Sequence, residues 1–274
     1  MRFERSRKRA AAILVTLALL VTAAVTAEGQ AARASHVDSG HAFFPLAGDQ
    51  TPANSFAIVV GFVGGFVRHN DPVHSEVELA ERLRREYPSG VDVETFESYR
   101  GEAARKRILL LLAKSRSSKP TSDEKRSARV ILYGHSWGGS EAITVARELG
   151  KDGVPVLLTV QVDSVSRFFQ NDEVIPPNVA EAVNFYQPDG FVHGESTIRA
   201  ADPGHTKILG NFKFEYKGTP YSCGKYPWWD HYLVKPHTQI ECDPKVWRQV
   251  ENLIREALAS GVEPVSTAQT RNGS

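Results

Sequence analysis

Apolar runs with the character of buried strands recur along the chain, and turns rich in glycine, proline and charged residues separate them. Strands that are covered on both faces have such continuous apolar runs, whereas half-exposed strands alternate between apolar and polar residues. The runs therefore predict several buried strands in one sheet. The predicted strands are 55–65, 91–99, 130–134, 154–163 and 180–187, with 205–212 as a further candidate.

Segments with the periodicity of amphipathic helices lie between these strands. In 75–87, Val77, Leu79, Ala80 and Leu83 fall on one side of the predicted helix and charged residues fall on the other. Strands that alternate with helices pair in parallel, and right-handed crossovers place the helices on both faces. The predicted fold class is α/β, a three-layer αβα sandwich with a mostly parallel central sheet. The other predicted helices are 101–115, 138–150 and 243–260.

The chain divides into one domain and two terminal segments of different composition. Residues 1–27 begin with a basic cluster, continue as the uncharged apolar run 10–27 and close on small residues, which is the pattern of a secretory signal peptide. An uncleaved membrane anchor is the alternative, because the apolar run approaches the length of a spanning helix. We predict an N-terminal arm over 28–54, an α/β domain over 55–262 and a disordered tail over 263–274. Either interpretation of the N-terminus places the domain outside the cytoplasm, secreted or periplasmic.

Net charge and cysteine content indicate which partners and which covalent bonds to expect. The full chain has 33 basic and 32 acidic residues; without residues 1–27, 28 basic and 31 acidic residues remain, for a net charge of −3. Such a domain lacks the basic surface that binds nucleic acid, so nucleic acid is not an expected partner. Cys223 and Cys242 belong to a chain predicted to meet an oxidising compartment, which favours a disulfide between them over two free thiols.

The segment VILYGHSWGG at 130–139 places Ser136 where a predicted strand meets a predicted helix. Gly134 and Gly138 complete the pattern G-x-S-x-G, in which small residues leave room for a sharp turn. The turn holds the serine hydroxyl clear of the sheet, at a helix N-terminus where the dipole favours negative charge. The flanking strand and helix make the pattern more specific than its five residues. A turn that merely connects two elements is the alternative interpretation.

The residues GHSWGG at 134–139 resemble the GHSxGG nucleophile elbow of the α/β-hydrolase superfamily, particularly its lipases, esterases and thioesterases. The resemblance extends to the order of elements from about residue 55 to 260. It implies an α/β-hydrolase fold with Ser136 as nucleophile and the amide of Trp137 as one oxyanion donor. Alignment of the loop after the first buried strand implies the amide of Phe62 as the second donor, although Val60 stands where the family often has histidine.

A serine hydroxyl needs a neighbouring base, and in this superfamily the acid and the histidine follow the serine along the chain. His237 precedes the last predicted helix, where the family usually has the base, so we predict it in that role. His193, His205 and His231 also follow the serine, and His231 is the first alternative.

Two aspartates end predicted strands after the serine and could orient the imidazole. Asp163 ends the apolar run directly after the elbow helix, and Asp189 follows the next strand. The superfamily uses either placement. The cleaner apolar run favours Asp163 as the acid, and Asp189 stays open. Aspartate is also common at turns and caps without a catalytic role.

These residues predict a secreted or periplasmic serine hydrolase that cleaves carboxylic esters through an acyl-enzyme intermediate. The reaction needs no metal or organic cofactor. The expected partner is a small-molecule or lipid ester, with transient contact to a lipid surface, and the sequence does not indicate the oligomeric state. A non-catalytic binding protein on the same scaffold, and an amidase or peptidase with the same triad, are the alternatives. The aromatic stretch 211–232 is either a wall of the substrate site or a satellite core.

Overall fold

The computed structural model describes most of the predicted domain, and the predicted signal peptide, arm and tail lie outside the described residues. None of the described helices is both long and apolar enough to span a bilayer. The described residues are 56–113, 119–167, 170–218, 223–224, 226 and 235–260.

A six-stranded sheet forms the centre of the domain. Its strands are β1 (Ala57–Val63), β2 (Val91–Glu97), β3 (Val130–His135), β4 (Val156–Val162), β6 (Val179–Tyr186) and β8 (Lys207–Lys213). They lie in the order β2-β1-β3-β4-β6-β8, and every neighbouring pair is parallel. Two short strands, β5 (Val174–Ile175) and β7 (Arg199–Ala200), pair in a separate parallel ribbon. The sequence pattern missed this ribbon because two-residue strands have no periodicity.

Helices cover both faces of the sheet. They are α1 (Ser75–Glu86), α2 (Gly101–Leu112), α3 (Ser122–Arg126), α4 (Trp137–Lys151), α5 (Lys235–Cys242) and α6 (Pro244–Ala259). Successive residues of β1 point to opposite faces: Val59 packs in a core with α1, α5 and α6, whereas Ile58 and Val60 pack in a second core with α2 and α4. The predicted three-layer αβα sandwich is confirmed.

The parallel register brings the carboxyl ends of the inner strands to one edge. His135 of β3 pairs with Val162 of β4, and Val162 pairs with Phe185 of β6. The residues that follow these strands therefore meet at this edge, which is where ligands bind in open α/β sheets. Ser136 and Asp163 are two of them.

Two segments differ from the predicted pattern. The predicted loop 115–128 contains the short helix α3, which Thr121 and Glu124 begin with a reciprocal capping box. The loop predicted around His237 is the eight-residue helix α5. A helix of two turns is too short to show a reliable apolar period, so the pattern could not distinguish it from a loop.

The predicted disulfide joins Cys223 to Cys242, with the two Cα atoms 5.8 Å apart. That separation is within the usual range for a disulfide. Cys242 is the last residue of α5, so the bridge ties the segment around Cys223 to the helix that carries His237.

Candidate active site

The turn between β3 and α4 holds Ser136 in a backbone conformation that few non-glycine residues adopt. Its φ is 56° and its ψ is −126°. The flanking glycines are required for close packing: a Cβ at Gly138 would lie 2.1 Å from the carbonyl oxygen of Phe62, and one at Gly134 would lie 2.5 Å from the backbone of Gly138. The amide of Ser136 donates to the Val162 carbonyl at 3.0 Å, which fixes the turn against β4.

His237 lies between Ser136 and Asp163 and contacts both. Its Nε2 is 2.8 Å from the hydroxyl oxygen of Ser136, and its Nδ1 is 2.7 Å from Oδ2 of Asp163. An ionised carboxylate can only accept a hydrogen bond, so Nδ1 carries the proton and the unprotonated Nε2 can accept from the serine hydroxyl. All three side chains are buried.

Asp163 is fully buried, and donors from three positions satisfy its carboxylate. Besides His237, the side chain of Gln187 donates to Oδ2 at 2.8 Å, and the amide of Gly194 donates to Oδ1 at 2.7 Å. Burial alone would raise the pKa of the Asp163 carboxyl. The hydrogen bond and charge of His237, with the donors at Gln187 and Gly194, lower the pKa below its ordinary value instead. The carboxylate is therefore ionised at neutral pH.

The Asp163 backbone is strained as well, with a φ of 42°. Gly194 packs directly on this strained segment, because a Cβ there would lie 2.4 Å from the carbonyl carbon of Asp163. Glycine at this position lets the amide reach the carboxylate. Sequence reasoning missed both Gly194 and Gln187. Gln187 had one available signal, since it is the last residue of the predicted strand 180–187, at the edge where ligands bind.

The alternative acid and bases have other contacts. Asp189 accepts from the backbone amides of Tyr216 and Lys217, at 2.8 Å and 3.1 Å, and so anchors a loop. His205 is exposed and pairs with Asp202 at 2.7 Å. His193 is exposed next to Gly194. His231 lies outside the described residues.

The two predicted oxyanion donors have different surroundings. Trp137 is the first residue of α4 and directly follows Ser136. Phe62 lies inside β1, in register with Gly134 on one side and Phe96 on the other. The amide of a strand residue paired on both sides donates within the sheet, so this position suits Phe62 poorly for an oxyanion donor.

The turn after β1 approaches Ser136 more closely. A Cβ at Gly64 would lie 3.1 Å from the Cβ of Ser136. The turn closes with a bond from the Val67 amide to the Gly64 carbonyl at 3.2 Å. The ring of Phe66 stands edge-on to the ring of Trp137 at 5.5 Å and is 55% exposed. These two rings form an apolar rim beside the serine.

Two described rings of the aromatic stretch 211–232, those of Phe214 and Tyr216, pack against the core. Phe212 and Phe214 lie against Phe185, with ring centroids 5.5 Å and 6.1 Å away, but Phe212 is 42% exposed. The hydroxyl of the buried Tyr216 lies 2.9 Å from the carboxylate of Asp243. The satellite-core interpretation therefore fits Phe214 and Tyr216. The remaining rings of the stretch lie largely outside the described residues.

The polar segment 68–72 is a turn that leads into α1. The ring of His69 pairs with Glu97 at 2.7 Å, and the carboxylate of Asp71 accepts from the amide of Val73 at 3.1 Å. Both contacts hold the backbone of the turn in place. The polar side chains of His69 and Asp71 therefore stabilise this turn.

A second buried group of titratable side chains lies behind His237. We call His74, Glu76, His135 and Glu241 the rear cluster. The ring of His135 is 4.5 Å from the ring of His237, and Glu241 lies one turn after His237 on α5. Sequence reasoning missed this cluster, because its members come from three distant segments.

This domain combines three features at the edge of its parallel sheet. Ser136 lies on a strained strand-to-helix turn, Asp163 and His237 lie beside it, and the three residues follow one another in the chain in that order. These features characterise the α/β-hydrolase fold. The three-layer αβα domain resembles that fold.

Comparisons with known proteins add little to this. No protein-family model and no curated protein matches the chain. A candidate YdeN-like hydrolase from Pectobacterium atrosepticum has a TM-score of 0.39 and 14% identity, over 76% of this chain and 95% of that one. A candidate hydrolase of the alpha/beta superfamily from Xanthomonas campestris pv. campestris has a TM-score of 0.36 and 11% identity, over 73% and 99%. Likeness at this level carries no argument about the reaction, which must be inferred from the site itself.

Proposed function

We propose that the protein is a serine hydrolase that cleaves carboxylic esters through an acyl-enzyme intermediate. The observation that carries the proposal is the position of His237, with one ring nitrogen 2.8 Å from the Ser136 hydroxyl and the other 2.7 Å from the Asp163 carboxylate. Both distances are those at which a proton can be transferred or shared.

Each residue has a defined role in this proposal. The Ser136 oxygen attacks the ester carbonyl while Nε2 of His237 takes its proton. The imidazolium then returns the proton to the leaving alcohol, and water repeats the two steps to release the acid. Asp163 stays ionised, holds Nδ1 protonated and stabilises the imidazolium. Gln187 and Gly194 position the carboxylate.

The oxyanion would be held at the N-terminus of α4. The amide of Trp137 is one proposed donor, and the helix dipole adds favourable charge. For the second donor we propose an amide of the turn 64–66 in place of Phe62, because this turn lies beside Ser136 and β1 does not leave the Phe62 amide free. Loss of one such donor commonly lowers kcat by about 10²–10³-fold.

The surroundings of the serine favour an ester with an apolar acyl or aryl group. Phe66 and Trp137 provide an apolar rim, and the side chain bonded to the Ser136 hydroxyl is the imidazole of His237. The disulfide and the predicted signal peptide support action outside the cytoplasm, where coenzyme A thioesters are scarce. A carboxylic ester, including a lipid ester, is the substrate class we infer.

A panel of p-nitrophenyl esters from acetyl to palmitoyl, with the matching p-nitroanilides, tests the proposal. We expect the wild type to hydrolyse esters much faster than anilides, and Ser136→Ala and His237→Ala to lose activity. Ser140→Ala is the matched control, because its hydroxyl lies one turn along α4 and bonds to Gln170 at 2.8 Å. Full activity in either of the first two variants would remove that residue from the mechanism, and faster anilide cleavage would favour an amidase.

A further inference from the structure

We propose that the rear cluster binds one divalent transition-metal cation, such as Zn²⁺ or Mn²⁺, behind the triad. Imidazole nitrogens and carboxylate oxygens together are a donor set that such cations prefer. The site is distinct from the ester-cleaving residues, and its occupancy does not depend on the proposed function.

The ligand atoms are already close together. One atom each from His74, Glu76 and Glu241 lie within 4.8 Å of one another. Nδ1 of His135 adds a fourth donor, 3.4 Å from Oε2 of Glu241 and 3.9 Å from Oε1 of Glu76. Two ligands of one tetrahedral Zn²⁺ stand about 3.4 Å apart, since each bond is roughly 2.0–2.2 Å long. Small side-chain shifts would therefore complete the coordination.

Two members of the cluster lack the partners that buried polar groups normally have. Glu76 is 0% exposed and His135 is 3% exposed. By ordinary hydrogen-bond geometry, no partner among the described residues reaches the carboxylate oxygens of Glu76 or the ring nitrogens of His135, although the backbone amides of Gly64 and Glu76 lie close enough to the carboxylate to oppose the rise of its pKa. Buried polar atoms are nearly always satisfied, and an unpaired buried carboxylate is strongly unfavourable. A cation between these groups would satisfy both.

Other side chains hold the remaining ligands in place. The hydroxyl of Tyr226 donates to Oε1 of Glu241 at 3.1 Å. The ring of Tyr226 stands edge-on to His74 at 5.1 Å. The hydroxyl of Tyr133 anchors the backbone carbonyl of Glu76 at 2.8 Å. Supporting contacts of this kind orient metal ligands in known sites.

A proton on Glu76 is the competing occupant. Burial and the nearby charge of Glu241 raise the pKa of Glu76 to about 8. Glutamine at position 76 mimics the protonated acid but is a poor ligand, so this substitution separates the two occupants.

The wild-type full chain, stripped with a chelator and titrated with ZnCl₂ or MnCl₂, tests the site by calorimetry and thermal unfolding. We expect one ion per chain. At a hundred times the Kd, the Tm should rise by roughly 5–10 °C. Absence of binding by the wild type, or unchanged Tm at saturating metal, would overturn the proposal.

Glu76→Gln, with Glu78→Gln as matched control, assigns the binding to this cluster. Glu78 lies two residues along α1, and its half-exposed carboxylate pairs with Arg82 at 3.2 Å. We expect Glu76→Gln to weaken metal binding by more than about 100-fold, since even loss of a supporting contact costs about 10–100-fold. Glu78→Gln should bind like the wild type. Equal affinity in wild type and Glu76→Gln would assign the ion to another site and overturn the proposal.

X-ray absorption of the Zn²⁺-loaded wild type gives a test that needs no variant. Imidazole and carboxylate ligands at about 2.0–2.2 Å are expected. A spectrum without imidazole coordination would contradict the site. Because this readout is independent of ester hydrolysis, failure of the metal site and failure of the proposed function can be distinguished.

Discussion

The triad and the rear cluster are neighbours on the same helix, yet their polar groups are satisfied to very different degrees. His237 and Glu241 lie one turn apart on α5. In the triad, Asp163 accepts from the imidazole of His237, from Gln187 and from Gly194. In the rear cluster, Glu76 has no hydrogen-bond partner for either carboxylate oxygen among the described residues.

The two buried carboxyl groups show how hydrogen-bond donors change the pKa of a buried acid. Asp163 and Glu76 are both fully buried, and burial alone would raise both pKa values. Donors around Asp163 lower its pKa, whereas burial and the charge of Glu241 raise that of Glu76. The difference is the one expected if the proposed triad is complete within the chain and the rear cluster holds the proposed cation.

The largest expected effect is a fall in kcat when His237, the proposed base, is replaced. His237→Ala should lower kcat by about 10⁶-fold, the loss typical when a triad histidine is removed. His205→Ala is the control, because His205 is exposed and pairs with Asp202. Ester hydrolysis rates measure both. If kcat of His237→Ala falls by less than about tenfold, His237 is not the base, and the triad does not differ from its surroundings in the way proposed.

Asp163→Asn should lower kcat by about 10⁴-fold, because the amide can hold the imidazole in the wrong tautomer. Asp189→Asn should stay within a few fold of the wild type, since among the described residues Asp189 accepts from the backbone amides of a loop and not from an imidazole. The same ester assay compares the two. The reverse order of effects would assign the acid to Asp189.

The disulfide supports the helix that the two regions share. Replacing Cys223 and Cys242 with serine together should lower the free energy of unfolding by about 3 kcal/mol, as expected for a loop of this length. Urea unfolding measures the change. Both metal affinity and kcat should fall with it, because His237 and Glu241 lie on α5. Loss of only one of them would show that the two regions are held independently.

Gln187→Ala should cost less than any triad substitution. It removes one donor to Asp163 and leaves the carboxylate with His237 and Gly194. An unmade hydrogen bond to a buried group costs about 1–3 kcal/mol, which corresponds to roughly a 10–100-fold loss of kcat. Gln249→Ala, at an exposed position of α6, is the control. The kcat for one ester is measured for both variants. A 10⁴-fold loss would place Gln187 in the chemistry itself.

The smallest effect is in the pH dependence of stability. The pKa of Asp163 is lower in the folded chain than in the unfolded chain, so its charge stabilises the fold at neutral pH. This contribution should be complete above about pH 5 and should be lost as the pH falls below the unfolded value of about 3.9. Urea unfolding of wild type and Asp163→Asn should therefore differ most at pH 7 and less at pH 3.5. A gap that widens in acid would contradict the lowered pKa.

Much of the fold and of the triad could be predicted because their signals are local. Buried parallel strands have continuous apolar runs, and glycine is required near Ser136 because a Cβ at Gly138 would lie 2.1 Å from the carbonyl oxygen of Phe62. Chain order then restricted the acid and the base to residues after the serine. The structure brings Asp163 and His237 together with Ser136, as those constraints suggested.

The parts that sequence reasoning missed depend on long-range packing. Gly194 approaches Asp163 only because a loop folds back onto the strand end, and no local pattern marks that contact. The Phe62 assignment came from aligning this residue with a loop, whereas Phe62 lies inside β1, which extends to Val63. Glu241 falls beside His237 only if 235–242 is helical, and a two-turn helix has no clear period.

Covalent labelling of Ser136 tests the central claim most directly. The wild type and the His237→Ala variant are each incubated with a fluorophosphonate and digested with trypsin. The peptide 130–147 of each protein is then sequenced by mass spectrometry. We predict one adduct per chain, on Ser136, and little labelling in His237→Ala, because the hydroxyl is nucleophilic only beside that base. An unlabelled Ser136 in active protein, or an adduct on another residue, would contradict the account.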